Sequence, residues 1–376
     1  MHFNKYYIIA GEVSGDMHAA NLVNAMKELD SNIEFRGFGG ELMQNAGVKI
    51  SRGLDKLSLV GFIEIIKHLG TINENFRIAK REIVEFNPTA IILIDYPGFN
   101  LRMAEWAKSK GIIVYFYVAP QVWAWGKKRI VKMKKFIDKL FVILPFEQEF
   151  FRQNGLDVEY VGNPLIQEID RFEMEDDFLV NHNIPVNKKI VAFLPGSRES
   201  EIKRNIKSVI PVIKNNLDKY FLVAARTGLD TSHFEELESL DNVKIIFDDS
   251  YKIFNVSDAG IIKSGTSTLE AALFELPQVV VYKVNYLSYL IVKNLVKDLK
   301  FVSLINLIFN RKVVTELLQH DFNPDLLEKE LNLLFDPNKR KDMLTDYQKL
   351  KGILKKEKYA SQIVAESIIA AQEINI

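Results

Sequence analysis

Short apolar runs alternate with longer segments whose apolar positions recur at helical spacing. The runs Tyr6–Ala10, Glu34–Gly37, Ala90–Asp95, Ile112–Val118, Lys139–Leu144 and Val158–Val161 have the length of strands buried on both faces. Between them, Met17–Leu29, Phe62–Phe86, Leu101–Lys110 and Phe146–Asn154 read as helices. The pattern pauses around Gly162-Asn163-Pro164 and the acidic, strand-poor stretch Asp170–Asp177, then resumes. A second set of runs, Lys189–Leu194, Tyr220–Ala224, Val243–Phe247, Gly260–Lys263 and Gln278–Tyr282, again precedes helix-like stretches, and Pro324–Ile376 is charged and helical throughout. Strand–helix alternation of this kind predicts an α/β protein with parallel sheets covered on both faces. The expected domains are 1–165 and 166–345, with 346–376 as C-terminal helices packing across the junction or onto a partner subunit in a homodimer. Functional residues are then expected at the carboxyl ends of strands.

Composition narrows the function. Lys plus Arg and Asp plus Glu are both 49, so no global field recruits nucleic acid or a membrane, and any such attraction must come from a local patch. There is no cysteine, which excludes disulfides, thiolate metal sites and cysteine nucleophiles. The opening M-H-F-N-K-Y-Y-I-I-A lacks a signal-peptide pattern, and no apolar window approaches the ~18 residues of a membrane span, so a cytoplasmic protein is expected. The histidines are scattered without metal-ligand spacing, and G-x-S-x-G, the Walker P-loop and G-x-G-x-x-G are all missing.

Two turns resemble anion sites. In V-A-F-L-P-G-S-R-E-S-E-I (Val191–Ile202) a buried strand breaks at Pro195-Gly196-Ser197 into a helix start, with Arg198 at the tip. Such a junction aims free backbone N–H groups and a positive helix end at an anion, and arginine adds a planar fork for phosphate oxygens. In I-I-K-S-G-T-S-T-L-E-A-A (Ile261–Ala272), Ser264, Gly265 and Thr266 repeat that logic. Glu270, one helical turn on, suits the hydroxyls of a ribose. An ordinary strand-to-helix turn accounts for either alone; together they suggest a nucleoside diphosphate held without a P-loop.

Other strand ends carry candidate chemistry. A-G-E-V-S-G-D (Ala10–Asp16) offers Glu12, Ser14, Gly15 and Asp16 in a glycine turn, although Ser14 and Asp16 would serve equally as helix caps. In I-L-I-D-Y-P-G-F-N (Ile92–Asn100), Asp95 closes an apolar strand, where partial burial would raise its pKa toward that of a general base. Y-V-A-P-Q-V-W-A-W-G (Tyr117–Gly126) sets Trp123 beside a proline turn, suited to a sugar face, an acyl groove or the core. Lys127, Lys128, Arg129, Lys132, Lys134 and Lys135 follow as a basic run, which with the apolar face of Val60–Leu69 (Phe62, Ile66) could dock on anionic lipid.

Taken in order, A-G-E-V-S-G-D, I-D-Y-P-G-F-N, P-Q-V-W-A-W, L-P-F-E, L-P-G-S-R-x-x-E, S-G-T-x-T-L-E and V-x-E-L-L-Q resemble the lipid-A-disaccharide synthase family, over about Ile8 to Gln319. The resemblance implies an inverting glycosyltransferase with two facing Rossmann-like domains, the GT-B arrangement, and an active site in the cleft between them. It implies UDP-2,3-diacylglucosamine and 2,3-diacylglucosamine 1-phosphate (lipid X) as substrates, no cofactor, no metal, no nucleic acid, and a peripheral place on the inner face of the inner membrane. By the same resemblance Asp95 is the essential aspartate and Arg198 the essential arginine facing UDP. Gly196, Ser197, Ser264, Gly265, Thr266 and Glu270 then bind the nucleotide, and Asn306 and Gln319 are late polar positions near the cleft. The chain departs from the family pattern at Gly98, Ile305 and Asn163, where relatives often carry Asp, Pro and His. A UDP-N-acetylglucosamine epimerase or a soluble-acceptor transferase would use the same UDP-binding half, and a non-catalytic nucleotide-sugar or lipid carrier would have no use for Asp95.

Overall fold

The structure, a computed structural model, describes residues 4–57, 69–123, 129–284 and 300–373. The chain forms two compact units, Met1–Pro164 with Leu354–Ile376, and Leu165–Ile353.

In the first unit the strands are β1 (Lys5–Ala10), β2 (Glu34–Phe38), β3 (Lys49–Arg52), β4 (Ala90–Ile94), β5 (Ile113–Tyr117), β6 (Lys139–Val142) and β7 (Glu159–Tyr160). They pair in the order β3-β2-β1-β4-β5-β6-β7, every pair parallel. Side chains alternate across a strand, so one run feeds two cores. Tyr7 and Ile9 of β1, with Ile91 and Leu93 of β4, enter one core; Tyr6, Ile8 and Ala10, with Ala90, Ile92 and Ile94, enter the other. This double burial is why the central strands carry no polar residue after Lys5. The second core is closed by helix Val13–Leu29 and by the last helix, Ala360–Glu373, whose Val364, Ala365 and Ile368 are fully buried there.

The second unit repeats the plan. Its strands are β8 (Lys189–Leu194), β9 (Lys219–Ala225), β10 (Val243–Phe247), β11 (Ala259–Lys263), β12 (Gln278–Tyr282) and β13 (Thr315–Leu318), ordered β10-β9-β8-β11-β12-β13 and again parallel. Val191 and Phe193 of β8 face one core, and Ile190, Ala192 and Leu194 the other.

In both units the strand order reverses beside the first strand, between β1 and β4 and between β8 and β11. Successive connections leave such a point in opposite directions, which opens a crevice at the carboxyl ends of the two strands. Four of the five turns singled out by sequence follow these four strands; the fifth, with Trp123, follows β5. β3 and β13 were not among the expected strands, and helix Val13–Leu29 begins four residues earlier than expected. The expected docking residues Phe62 and Ile66 lie outside the described residues. Among those that are described, no helix is long and apolar enough to cross a membrane.

Candidate active site

At the carboxyl edge of the first unit, the chain leaves β4 through two consecutive left-handed residues, Asp95 (φ 43°) and Tyr96 (φ 48°), and leaves β5 through a third, Val118 (φ 62°). A β-branched residue in that region costs about 1–2 kcal/mol, and such strain gathers where a site fixes the backbone. Buried Asn100 holds the turn: its Nδ2 donates to the carbonyl oxygens of Asp95 at 2.8 Å and Ile94 at 3.1 Å. The Asp95 N–H donates to the Tyr117 carbonyl at 3.1 Å, tying the turn to β5. Tyr96 lays its ring over Gly11, where a Cβ would stand 2.4 Å from ring carbons, and its hydroxyl donates to the Leu57 carbonyl at 2.8 Å. Gly11 is therefore a requirement of the Tyr96 ring.

Burial, reinforced by the negative charge of Glu12, raises the Asp95 pKa to about 7. A second carboxyl stands nearby. Glu147 is almost fully buried; its Oε2 accepts from the N–H groups of Leu144 (3.0 Å) and Ile143 (3.2 Å), and its Oε1 accepts from Trp123 Nε1 at 3.0 Å. Burial outweighs these donors, and the Asp95 charge adds to it, so Glu147 is also raised to about 7. Trp123 is thereby fixed at the strand edge, edge-on to Phe146 at 5.0 Å. His18, buried with its Nδ1 unpartnered, is pushed down to about 4 by burial and stays neutral at pH 7.

Of the residues expected in the first turn, Glu12 and Ser14 are exposed, and Gly15 packs helix Val13–Leu29 against Ala10 and Ile94. Asp16 does something else. Its Oδ1 accepts from the N–H groups of Gly40 (2.7 Å) and Met43 (3.2 Å), and its Oδ2 from Leu42 (3.1 Å). A side chain at Gly40 would collide with it, at 2.4 Å. Asp16 thus caps the short helix Glu41–Asn45 with its carboxylate rather than offering it to a ligand. In the basic run, Lys132 pairs with Glu105 at 2.9 Å and Lys135 lies over Phe136, both exposed.

At the carboxyl edge of the second unit, Gly196 takes φ 117° and Arg198 opens helix Glu199–Asn215 as its N-cap residue. Fully buried Asn205 pins the turn by donating to the Pro195 carbonyl at 2.7 Å. The Arg198 side chain is 61% exposed, with Nη1 3.6 Å from Glu201 Oε1. Glu201 is buried, and its other oxygen lies 3.1 Å from Nζ of Lys263, the last residue of β11. Across the edge, Ser264 is buried and donates its N–H to the Val281 carbonyl, while Gly265 and Thr266 are exposed and open helix Ser267–Leu273. Glu270, half-buried in that helix, is raised to about 7 by burial, partly offset by hydrogen bonds from Ser267 and Tyr251. Gly196, Ser197, Arg198, Ser264, Gly265, Thr266 and Glu270 therefore flank one strand reversal.

The two late polar positions serve the fold. Asn306 is buried and saturated: Nδ2 donates to Val314 O (2.9 Å) and Glu316 Oε1 (2.8 Å), and Oδ1 accepts from the N–H groups of Val313 (2.7 Å) and Val314 (3.0 Å). Gln319 follows β13 at φ 52°, and its amide, oriented to satisfy both atoms, pairs with the Val284 backbone at 3.2 Å. The Asn306 amide is thus filled by its own unit, while half-buried Gln319 ties the end of β13 to the segment after β12. Sequence reasoning quoted the motifs that contain Glu147, Glu201 and Lys263 but gave these residues no role. The signal available was spacing: each glutamate stands three residues into a strand-to-helix junction, where a carboxylate can reach back to the turn.

A pair of Rossmann-type units, one presenting a carboxyl with a pKa near 7 and the other a phosphate-type turn with cations, defines a nucleotide-sugar enzyme of the GT-B class. The fold is shared over nearly the whole chain with a UDP-GlcNAc 2-epimerase from Neisseria meningitidis bound to UDP-GlcNAc (TM-score 0.67, 13% identity, 98% of this chain and 100% of that one). It is also shared with the glycosyltransferase of kitacinnamycin (TM-score 0.66, 11% identity, 98% and 99%). Residues 6–369 match the Lipid-A-disaccharide synthetase family. Lipid-A-disaccharide synthase 1 of Legionella pneumophila is 36% identical over 93% of both chains, and the enzyme of Nitrosococcus oceani 35% identical over 97% of this chain and 96% of its own. The chain belongs to the lipid-A-disaccharide synthetase family, and its activity is that of a glycosyltransferase in lipid A biosynthesis.

Proposed function

We propose that the enzyme transfers 2,3-diacylglucosamine from UDP-2,3-diacylglucosamine to the 6-hydroxyl of 2,3-diacylglucosamine 1-phosphate, giving the β-1,6-linked disaccharide 1-phosphate and UDP. Asp95 carries the reading. It sits at the strand reversal of its unit with a pKa of about 7, as a general base needs at neutral pH. Its carboxylate takes the proton of the attacking 6-hydroxyl while that oxygen bonds to C1 of the donor sugar. The C1–O bond to UDP breaks on the opposite face, the electron pair leaves with the diphosphate, and the anomeric centre inverts. Arg198 and the N–H groups of the two turns stabilise the departing charge; donors of this kind cost about 3–4 kcal/mol of barrier each when deleted. Glu270 accepts from the ribose hydroxyls.

Mass spectrometry of products from the two substrates tests this directly. Disaccharide 1-phosphate should appear only with both present, Asp95→Ala should lose turnover and keep UDP binding, and Arg198→Ala should lose both. Consumption of a UDP-sugar without acceptor would favour the epimerase reading, which the shared fold keeps in view. Acylated substrates also have to be drawn from a bilayer. The exposed Lys132 and Lys135, with the segment Val60–Leu69, suit peripheral docking on the anionic inner face of the membrane.

A further inference from the structure

Lys263 lies at the end of β11, beside β8, where Ile262 is in register with Leu194. Its stem crosses next to the anion turn: Cδ is 3.6 Å from where a Cβ on Gly196 would stand, an ordinary contact distance. Nζ lies 3.1 Å from Glu201 Oε2 and 5.5 Å from the centre of the Tyr282 ring. The other oxygen of the same carboxylate faces Arg198. One buried carboxylate is thus shared by two cations. A half-buried ion pair gives little net stability, because desolvation offsets most of the Coulomb attraction. An ammonium has three N–H donors, and the contact with Glu201 is an ion pair only, since the buried Glu201 Oε2 has no hydrogen-bond partner among the described residues. The surplus donors are at the same strand reversal as Gly196, Ser264 and Gly265.

We propose that Lys263 is a second diphosphate-binding residue, held at the turn by Glu201, so that the leaving group is met by an Arg–Lys pair rather than by Arg198 alone. The inference rests on the donor-site reading above. The glutamate acts as a fixed counter-ion that keeps both cations extended toward the turn before ligand arrives, and the ring of Tyr282 supports the lysine stem. A charge-assisted contact of this kind corresponds to about ten- to a hundredfold in affinity.

The test is calorimetric titration of the full chain with UDP and with uridine, comparing wild type, Lys263→Met, Lys263→Arg and Arg198→Ala at several salt concentrations. Methionine keeps the stem over Tyr282 and removes the charge. Lys263→Met should weaken UDP at least tenfold, leave uridine unchanged and flatten the salt dependence of UDP binding, and Lys263→Arg should recover most of the loss. If UDP binds and Arg198→Ala weakens it, but Lys263→Met leaves the UDP-to-uridine ratio at the wild-type value, the lysine is only a structural partner of Glu201 and this proposal alone fails. If wild type binds no UDP, the donor-site reading fails with it. A fall in thermal stability without a change in that ratio also counts against the proposal.

Discussion

Replacing Asp95 by asparagine should abolish turnover and, above neutral pH, make the first unit more stable. Burial and Glu12 raise the Asp95 carboxyl from 3.8 to about 7. A folded-state pKa above the unfolded one means that native stability is fully present below pH ~3.8 and is lost as pH rises through about 7. Once the carboxylate is ionised in both states, the difference costs the folded protein about 4 kcal/mol, an upper bound because solvent reaches part of the side chain. At pH 5 the folded group is protonated and the unfolded one mostly ionised, and the cost falls to about 1–2 kcal/mol. The neutral amide carries no such cost. Asp95→Asn should therefore unfold at higher urea than wild type at pH 8, with an advantage at least halved at pH 5. Trp106, Trp123 and Trp125 are the chain's three tryptophans and all fall in the first unit, so their fluorescence reports the relevant transition.

The same shift fixes the kinetics. With the carboxylate as base, kcat/KM should rise with pH to a plateau above about 7. Glu12→Gln removes one cause of the shift, so its acidic limb should move to lower pH with the plateau retained. An equal stability change at pH 5 and pH 8, or a wild-type kcat/KM flat across that range, would refute the reasoning.

Three further outcomes follow from the described contacts. Asn306→Ala strands the N–H groups of Val313 and Val314, so the second unit should lose about 3 kcal/mol in urea unfolding while UDP affinity per folded molecule, by calorimetry, stays at wild type. Charge reversal at Lys132 and Lys135 should weaken a salt-sensitive association with anionic liposomes, read by co-sedimentation, without lowering the unfolding midpoint, because the Lys132–Glu105 pair is exposed on both sides. On the proposed role of Arg198 and the N–H groups of the two turns in meeting the leaving diphosphate, turnover should survive EDTA; loss on chelation with recovery on adding Mg²⁺ would contradict that role.

The chain's apolar periodicity placed most of the framework. Lys189–Leu194 and Gln278–Tyr282 are strands at the expected bounds, because strands buried on both faces are apolar after their first residue; Val243–Phe247, at the sheet edge and only partly buried, was placed by its four apolar residues in five. The two strands that were missed, K-I-S-R and T-E-L-L, each have a sheet neighbour on one side only and remain half-open, so their sequences need few apolar residues. Turns were legible for a related reason: glycine and proline interrupt a buried run only where the backbone must change direction. Polar side chains in those turns were harder to assign. Asp16 and Asn306 have the residue type and position of ligand contacts, yet both are filled by backbone N–H groups, those on Asp16 from a segment more than twenty residues away and those on Asn306 from the loop just after its own helix. Lys263 was overlooked because a lysine ending an apolar strand looks like the strand reaching solvent; only its contact with Glu201 separates it from that reading.

One strand plan is used twice with opposite electrostatics. At the reversal between β1 and β4 the ionisable groups are carboxyls, with Asp95 held near neutrality by burial and by the repulsion of Glu12. At the reversal between β8 and β11 two cations share one carboxylate. The first arrangement suits the removal of a proton from a neutral hydroxyl, since a base whose pKa lies near the operating pH is both substantially ionised and more basic than an ordinary carboxylate. The second, in the proposed reaction, meets an incoming diphosphate with cations already gathered at the turn by Glu201. An arginine beside Asp95 would lower its pKa and weaken the base. The division of labour between the units therefore lies in the charges placed at equivalent strand ends, not in a difference of fold.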